Sequence, residues 1–347
     1  MKQFFIFLFF ILLLPTTACT ESDIAMQKEL IVLAAPISDD LYYQEQAETI
    51  FQFHIGYVKK IQMHDQVLVL VDEGAYQDYV NAIGDESVVI APMEDIWMRD
   101  FSLSNVENAV MFRYSAEGQG RGVQGQQEAD AVQEQFADIL DDAGLQFIET
   151  DLINDGGNFV DDYAGNAVIS RKFLYDNKLT ESQAKMVLKE LLDLSYIAFI
   201  DADEQGGLEH ADGVVSFVDE NTLIVNSYEE DPDYAQQLEE DLRRGLPDVN
   251  IHKIVTPYDD SDIYDERFGS ACGLYTNALV TPERIYFPQF GIPEDAIALE
   301  QVKAVTDREI IPVNSQRVCS MGGGVRCMSW QLRGENARKL LEYFQKK

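Results

Sequence analysis

The chain has 347 residues, 46% of them hydrophobic and 25% charged, an ordinary globular mixture that excludes a disordered or fibrous polypeptide. Its 61 Asp+Glu stand against 26 Lys+Arg, a formal net charge of −35. Such a surface opposes nucleic acid and anionic lipid headgroups, both of which need basic partners, and it is compatible with a cationic ligand.

The first feature along the chain is an export signal. Lys2 precedes an apolar run from Phe4 to Leu14, followed by Pro15, Thr16, Thr17, Ala18 and Cys19. A charged start, a short apolar stretch and small residues at the cut predict a secretory signal peptide over residues 1–18. The run is too short to cross a bilayer as a helix. Ala18-Cys19 resembles the end of a bacterial lipobox, which makes Cys19 a lipidated N-terminus. Thr16 stands where lipoboxes usually carry Leu, Ile or Val, so ordinary cleavage after Ala18 stays open. Both routes predict an exported protein, periplasmic or at the cell surface, that touches the membrane only through that anchor. Residues 19–27 then read as a short linker and residues 28–347 as a single domain.

Within that domain a pattern repeats, although identity does not. Hairpin-like stretches begin at Asp100, Asn158, Gly213 and Asn277, and a fifth begins at Gly324. Strands are predicted at Gln66–Val71, Leu145–Glu149, Tyr196–Ile200, Asn250–Val255 and Arg308–Val313. Helical spacing fills Glu128–Asp142, Glu181–Leu194, Tyr234–Arg244 and Pro293–Thr306, while Gly118–Gln127 reads as a Gly/Gln-rich loop. A unit of about 50 residues that cannot bury its own apolar face implies modules packed around a common axis. The predicted fold class is α/β, a five-bladed pseudo-symmetric propeller of ββαβ modules. A doubly wound sheet predicts single strands between helices and fits less well.

Equivalent positions of five modules converge at one end of such an axis. They hold Asp100, Asn158, His210 with Asp212, Asn277 and Cys327. A thiolate beside a histidine is a nucleophile with a general acid/base. The set does not suit zinc: His54, His64 and His252 lie outside the motifs, there is no HExxH, and no metal or other cofactor is expected. Two carboxylates next to a sulfur would repel an oxyanion but match a guanidinium, a planar cation with five donors in a fork. Trp97 can lay its ring along such a cation. Beyond Cys19, the cysteines are Cys272, Cys319 and Cys327, an odd number, so at least one stays free or pairs between chains.

In this order the motifs resemble the agmatine deiminase / Porphyromonas-type peptidylarginine deiminase family of the guanidine-modifying superfamily. The anchors are Trp97-Met98-Arg99-Asp100, Asp155-Gly156-Gly157-Asn158, Glu209-His210-Ala211-Asp212, Tyr275-Thr276-Asn277, Phe287-Pro288-Gln289-Phe290-Gly291 and Gly322-Gly323-Gly324-Val325-Arg326-Cys327. The resemblance implies a hydrolase in which Cys327 attacks the guanidinium carbon and His210 moves protons. Asp100 and Asp212 would clamp the nitrogens, and Trp97, Asn277, Asp155 and Asn158 would bind substrate. The expected partner is a small guanidino compound or an arginine-containing peptide. The family's agmatine-specific members usually carry Glu where Asp155 stands, and His where Arg326 precedes the cysteine. Arg113 or Arg121 would have to replace the arginine pair that receives a carboxylate. Two other readings share the residues: an amidinotransferase or dihydrolase, and a surface lipoprotein that binds cations without turnover. The mark of the last would be Cys327 locked in a disulfide with Cys319 or Cys272.

Overall fold

The computed structural model describes residues 28–203 and 207–346. The signal peptide, Cys19 and the linker lie outside the described residues.

The strands follow in chain order. β1 (Leu30–Ala34), β2 (Gln66–Val71) and β3 (Val88–Ile90) pair in parallel. β1 and β2 are near-continuous apolar runs, buried along almost their whole length, as parallel strands covered on both faces must be. Helices α1 (Ala47–Ile61) and α2 (Glu73–Ile83) alternate with them. α1 turns Ile50, Phe53, Tyr57, Val58 and Ile61 inward at helical spacing. The Asp72 side chain accepts a hydrogen bond from the Ala75 N–H at 2.8 Å and so starts α2.

The middle of the chain repeats one unit. After the short helix α3 (Met98–Phe101), β4 (Val110–Arg113) pairs in parallel with β5 (Ile148–Ile153) across helix α4 (Gly122–Ala143). β6 (Phe159–Asp161) and β7 (Asn166–Ser170) form an antiparallel hairpin. Helices α5 (Lys172–Asn177) and α6 (Glu181–Leu192) then lead to β8 (Tyr196–Ile200), parallel to β7. β9 (Val215–Asp219), β10 (Thr222–Asn226), α7 (Pro232–Gly245) and β11 (Asn250–Ile254) repeat this arrangement. So do β12 (Leu279–Val280), β13 (Arg284–Gln289), α8 (Glu294–Lys303) and β14 (Glu309–Asn314). Last, β15 (Trp330–Leu332), followed by α9 (Gly334–Lys346), pairs antiparallel with β1, Trp330 opposite Val32. The described residues thus hold five separate sheets in a mixed α/β fold.

Three expectations change. The first hairpin is reduced to a single Ser104–Val110 bridge, because residues 98–101 coil into α3 and Asn105 turns with φ of 61°. The fifth hairpin does not form within its own stretch: Gly324–Met328 makes turns, and the partner of β15 is β1 from the other end of the chain. The Gly/Gln-rich segment becomes helix from Gly122 onward, since the Gln, Glu and Ala residues after it favour helix.

Trp330 is 1% exposed and meets Phe136 of α4 edge-on, ring centroids 4.9 Å apart. It locks the seam between the chain ends. Trp330→Ala should lower the unfolding free energy by about 3–5 kcal/mol in urea titrations; a loss below about 1 kcal/mol would mean the seam does not depend on this ring.

Candidate active site

Each candidate side chain sits in a tight turn just ahead of the outer strand of a sheet. Asp100 lies in α3. Asp155 immediately precedes the turn Gly156–Asn158 before β6, and His210 immediately precedes the turn Ala211–Gly213, which contains Asp212, before β9. Asn277 and Cys327 occupy the turns before β12 and β15. Glu209 adopts φ of 55°, an uncommon conformation for a non-glycine, and so aims His210 out of the loop. Two glycines are needed for close approach. A Cβ on Gly157 would collide with His210 Nδ1 and lie 2.8 Å from Asp100 Oδ1. One on Gly323 would collide with the Trp97 ring and lie 2.8 Å from Cys327 Cβ.

These turns open into one cavity of about 770 Å³. Trp97, Asp100, Asp155, His210, Asp212, Asn277 and Cys327 all line it. Cys327 Sγ accepts a hydrogen bond from Asn277 Nδ2 at 3.0 Å and lies 3.9 Å from Asp212 Oδ2. His210 Nε2 donates to Asp155 Oδ2 at 3.1 Å, and its Nδ1 stands 3.7 Å from Asp100 Oδ1. The Gly157 N–H donates to Asp100 Oδ1 at 3.1 Å. Cys272 and Cys319 are joined in a disulfide and Cys327 is a free thiol, so the mark of the non-catalytic binder is absent.

Burial and charge act against one another here. Burial opposes the His210 cation, but Asp100, Asp155 and Asp212 outweigh it and carry the ring up to about 9. Burial raises Asp100 to about 7, helped by Asp155 and Asp212 and resisted by His210. Asp155 is held below its ordinary value despite burial, because His210 and both the N–H and hydroxyl of Ser115 donate to it. Burial first, then Asp212 and Asp100, push the Cys327 thiol well above its usual range.

Two expectations about individual residues do not match this geometry. Asn158 does not line the cavity: its Nδ2 donates to Asn154 Oδ1 at 3.0 Å and its Oδ1 accepts from the Ser170 N–H at 2.8 Å. It ties the turn to the hairpin β6–β7. Arg113 and Arg121 also lie outside the lining, paired with Asp130 at 2.7 Å and Glu117 at 2.7 Å. Conversely, Ser115 and Arg326, which lie behind the lining, hold two of its acids, a role the sequence does not assign to them. Ser115 secures Asp155, while Arg326 Nη1 donates to Asp212 Oδ2 at 2.6 Å.

Comparison with known proteins places the chain among relatives. The family model described as Porphyromonas-type peptidyl-arginine deiminase matches residues 23–332. A Lactococcus lactis protein named for agmatine deiminase is 28% identical over 211 residues, which cover 52% of this chain and 57% of that protein. The solved C. jejuni agmatine deiminase superposes with a TM-score of 0.73 at 21% identity, over 89% of this chain and 94% of that one. DDAH from Pseudomonas aeruginosa superposes at 0.51 with 14% identity, over 88% of this chain and 99% of that one. At these identities the superpositions speak for a shared mixed α/β fold.

His210 should titrate at about 9 when its ring signals are followed by NMR. Asp155→Asn should lower that value by about one unit or more; an unchanged value would mean the hydrogen bond is not what holds the charge. The folded value lies above the ordinary 6.5, so protonated His210 stabilises the fold: fully below about 6.5, and no longer as pH rises through about 9.

Proposed function

Because the chain belongs to the Porphyromonas-type peptidyl-arginine deiminase family, we propose that it hydrolyses a guanidino group to a ureido group and ammonia through Cys327. The observation that carries this reading is a free buried thiol sharing one cavity with a histidine and two carboxylates. Asp100 and Asp212 accept hydrogen bonds from the guanidinium nitrogens, and Trp97 stacks along the cation. Cys327 Sγ attacks the central carbon, and the C–N bond breaks as His210 protonates the departing ammonia. Its value of about 9 keeps His210 in the acid form at neutral pH. The resulting thiouronium is hydrolysed by a water that gives one proton to the now neutral His210 and, as the ureido carbonyl forms, its second to solvent. The C–S bond breaks and the thiolate returns.

The rest of the cavity favours one class of guanidine. Asp203, Glu229, Glu230, Asp231 and Glu294 also line it, and no lysine or arginine does so among the described residues. A substrate with a second cation at its far end, as in agmatine, is attracted by these acids; free arginine brings a carboxylate that is repelled. The five sheets serve as five blades around an axis, with the catalytic turns at one end of it. We propose too that residues 1–18 act as an export signal, cleaved either before a lipidated Cys19 or by ordinary signal peptidase, so that the reaction runs outside the cytoplasm. The Cys272–Cys319 disulfide supports that placement, because such bonds persist in oxidising compartments.

Ammonia and ureido product measured with agmatine, an arginyl peptide and free arginine test the reading. Agmatine should exceed free arginine by about 100-fold in kcat/KM. Cys327→Ser should abolish turnover, and a serine variant working at the native rate would exclude the mechanism. Asp212→Asn should lower kcat of the folded enzyme by about 100-fold and also lower the melting temperature, because the buried Arg326 cation loses its carboxylate; a folded variant with native kcat would make Asp212 structural only.

A further inference from the structure

Cys327 faces an electrostatic difficulty. The thiolate is the reactive form, yet the sulfur is buried with Asp212 Oδ2 3.9 Å away and Asp100 close enough to disfavour negative charge. The residue just before it in the chain is Arg326, 8% exposed. Its Nη1 donates to Asp212 Oδ2 at 2.6 Å and to the Gly156 carbonyl at 3.4 Å. Its Nη2 donates to the Phe159 carbonyl at 2.6 Å, and its backbone N–H to Asn277 Oδ1 at 3.3 Å. The guanidinium is therefore held by the turn before β6, the first residue of β6 and the turn before β9, and the backbone by the turn before β12.

We propose that Arg326 is a positioning residue that pins the Asp212 carboxylate and sets a permanent positive charge beside the Cys327 sulfur, favouring its thiolate. This rests on Cys327 being the nucleophile, as proposed above. The charged and titratable groups facing the pair can be named from each element around it. Asp212 and Asp100 face Cys327 and oppose its ionisation, whereas Arg326 supports it. Asp212 and Tyr163 face Arg326, and both favour its charge. Asp161 feels the Arg326 charge and is stabilised by it. Arg99, on the far side, is buried and pushed down to about 10, partly by Arg326 itself. His210 is engaged with Asp155 and Asp100, so its charge is directed to them. With Oδ2 occupied by Arg326, Asp212 keeps one carboxylate oxygen for a substrate nitrogen in a fixed orientation. A lysine would retain the charge but, as a single ammonium point, would not span both Asp212 and the Phe159 carbonyl.

The test uses the substrate-free protein, so that turnover is not its readout. Under non-reducing conditions, iodoacetamide alkylation is followed by mass on the peptide that carries Cys327, from pH 6 to 10. The thiolate forms the C–S bond and iodide leaves. In Arg326→Gln the rate profile should move upward by about one pH unit, a rate about tenfold lower at a fixed pH below the midpoint. A folded glutamine variant with the native profile would overturn the proposal. If that variant does not fold, Arg326→Lys carries the test. Its alkylation profile should stay near the native one while kcat for agmatine falls at least tenfold. A lysine variant with native kcat, or with a profile shifted like that of a neutral residue, would overturn the proposal too. Failure of the underlying reading has a different signature: native turnover in Cys327→Ser, whatever the alkylation profile.

Discussion

Burying several carboxylates beside one another is the constraint on which this molecule depends. Asp100, Asp155 and Asp212 line one cavity, each no more than 7% exposed. Isolated charges removed from water in this way shift their protonation or unfold the chain. Here two cations reconcile them: His210 bridges Asp155 and Asp100, and Arg326 binds Asp212. The arrangement leaves the cavity net acidic without leaving any of its three central acids unpartnered. The guanidino substrate proposed above is a permanently charged planar cation; a site for it needs that surplus and needs the acids held rigid so that little reorganisation accompanies binding.

The fold serves this requirement by bringing turns and strand ends together around one cavity. Each sheet contributes a short coil ahead of its outer strand, and the backbone N–H groups and carbonyls of those coils supply much of the site's hydrogen bonding. Gly157 donates to Asp100, Ser115 donates twice to Asp155, and the Gly156 and Phe159 carbonyls receive Arg326. Apolar sheets and helices behind the turns provide a rigid frame, and the seam between β1 and β15 joins its two ends.

Much of this was legible in the sequence because the unit repeats. β2 and β8 fall on the residues that alternation and apolar runs indicate, and Cys327, His210, Asp100 and Asp212 were singled out by their equivalent places in successive modules. The same reasoning misplaced Asn158, since equivalence of position does not say where a side chain's hydrogen bonds go. The opening unit, with β1, α1 and α2, was not recognised because its hairpin partner β15 lies at the other end of the chain. Arg326 was visible only as a departure from a motif. Its partner stands 114 residues away, a distance across which no local pattern operates. Ser115 carried no signal of any kind beyond being a small polar residue after a strand.

The disulfide has an implication for how such a molecule ages. With Cys319 tied to Cys272, Cys327 is the unpaired sulfur among the described residues. If peroxide converts it to a sulfenic acid, no adjacent thiol stands ready to condense with it, so repair must come from a small external reductant before further oxidation becomes irreversible. Inactivation by oxidants would then accumulate with time unless such thiols are supplied from the surroundings.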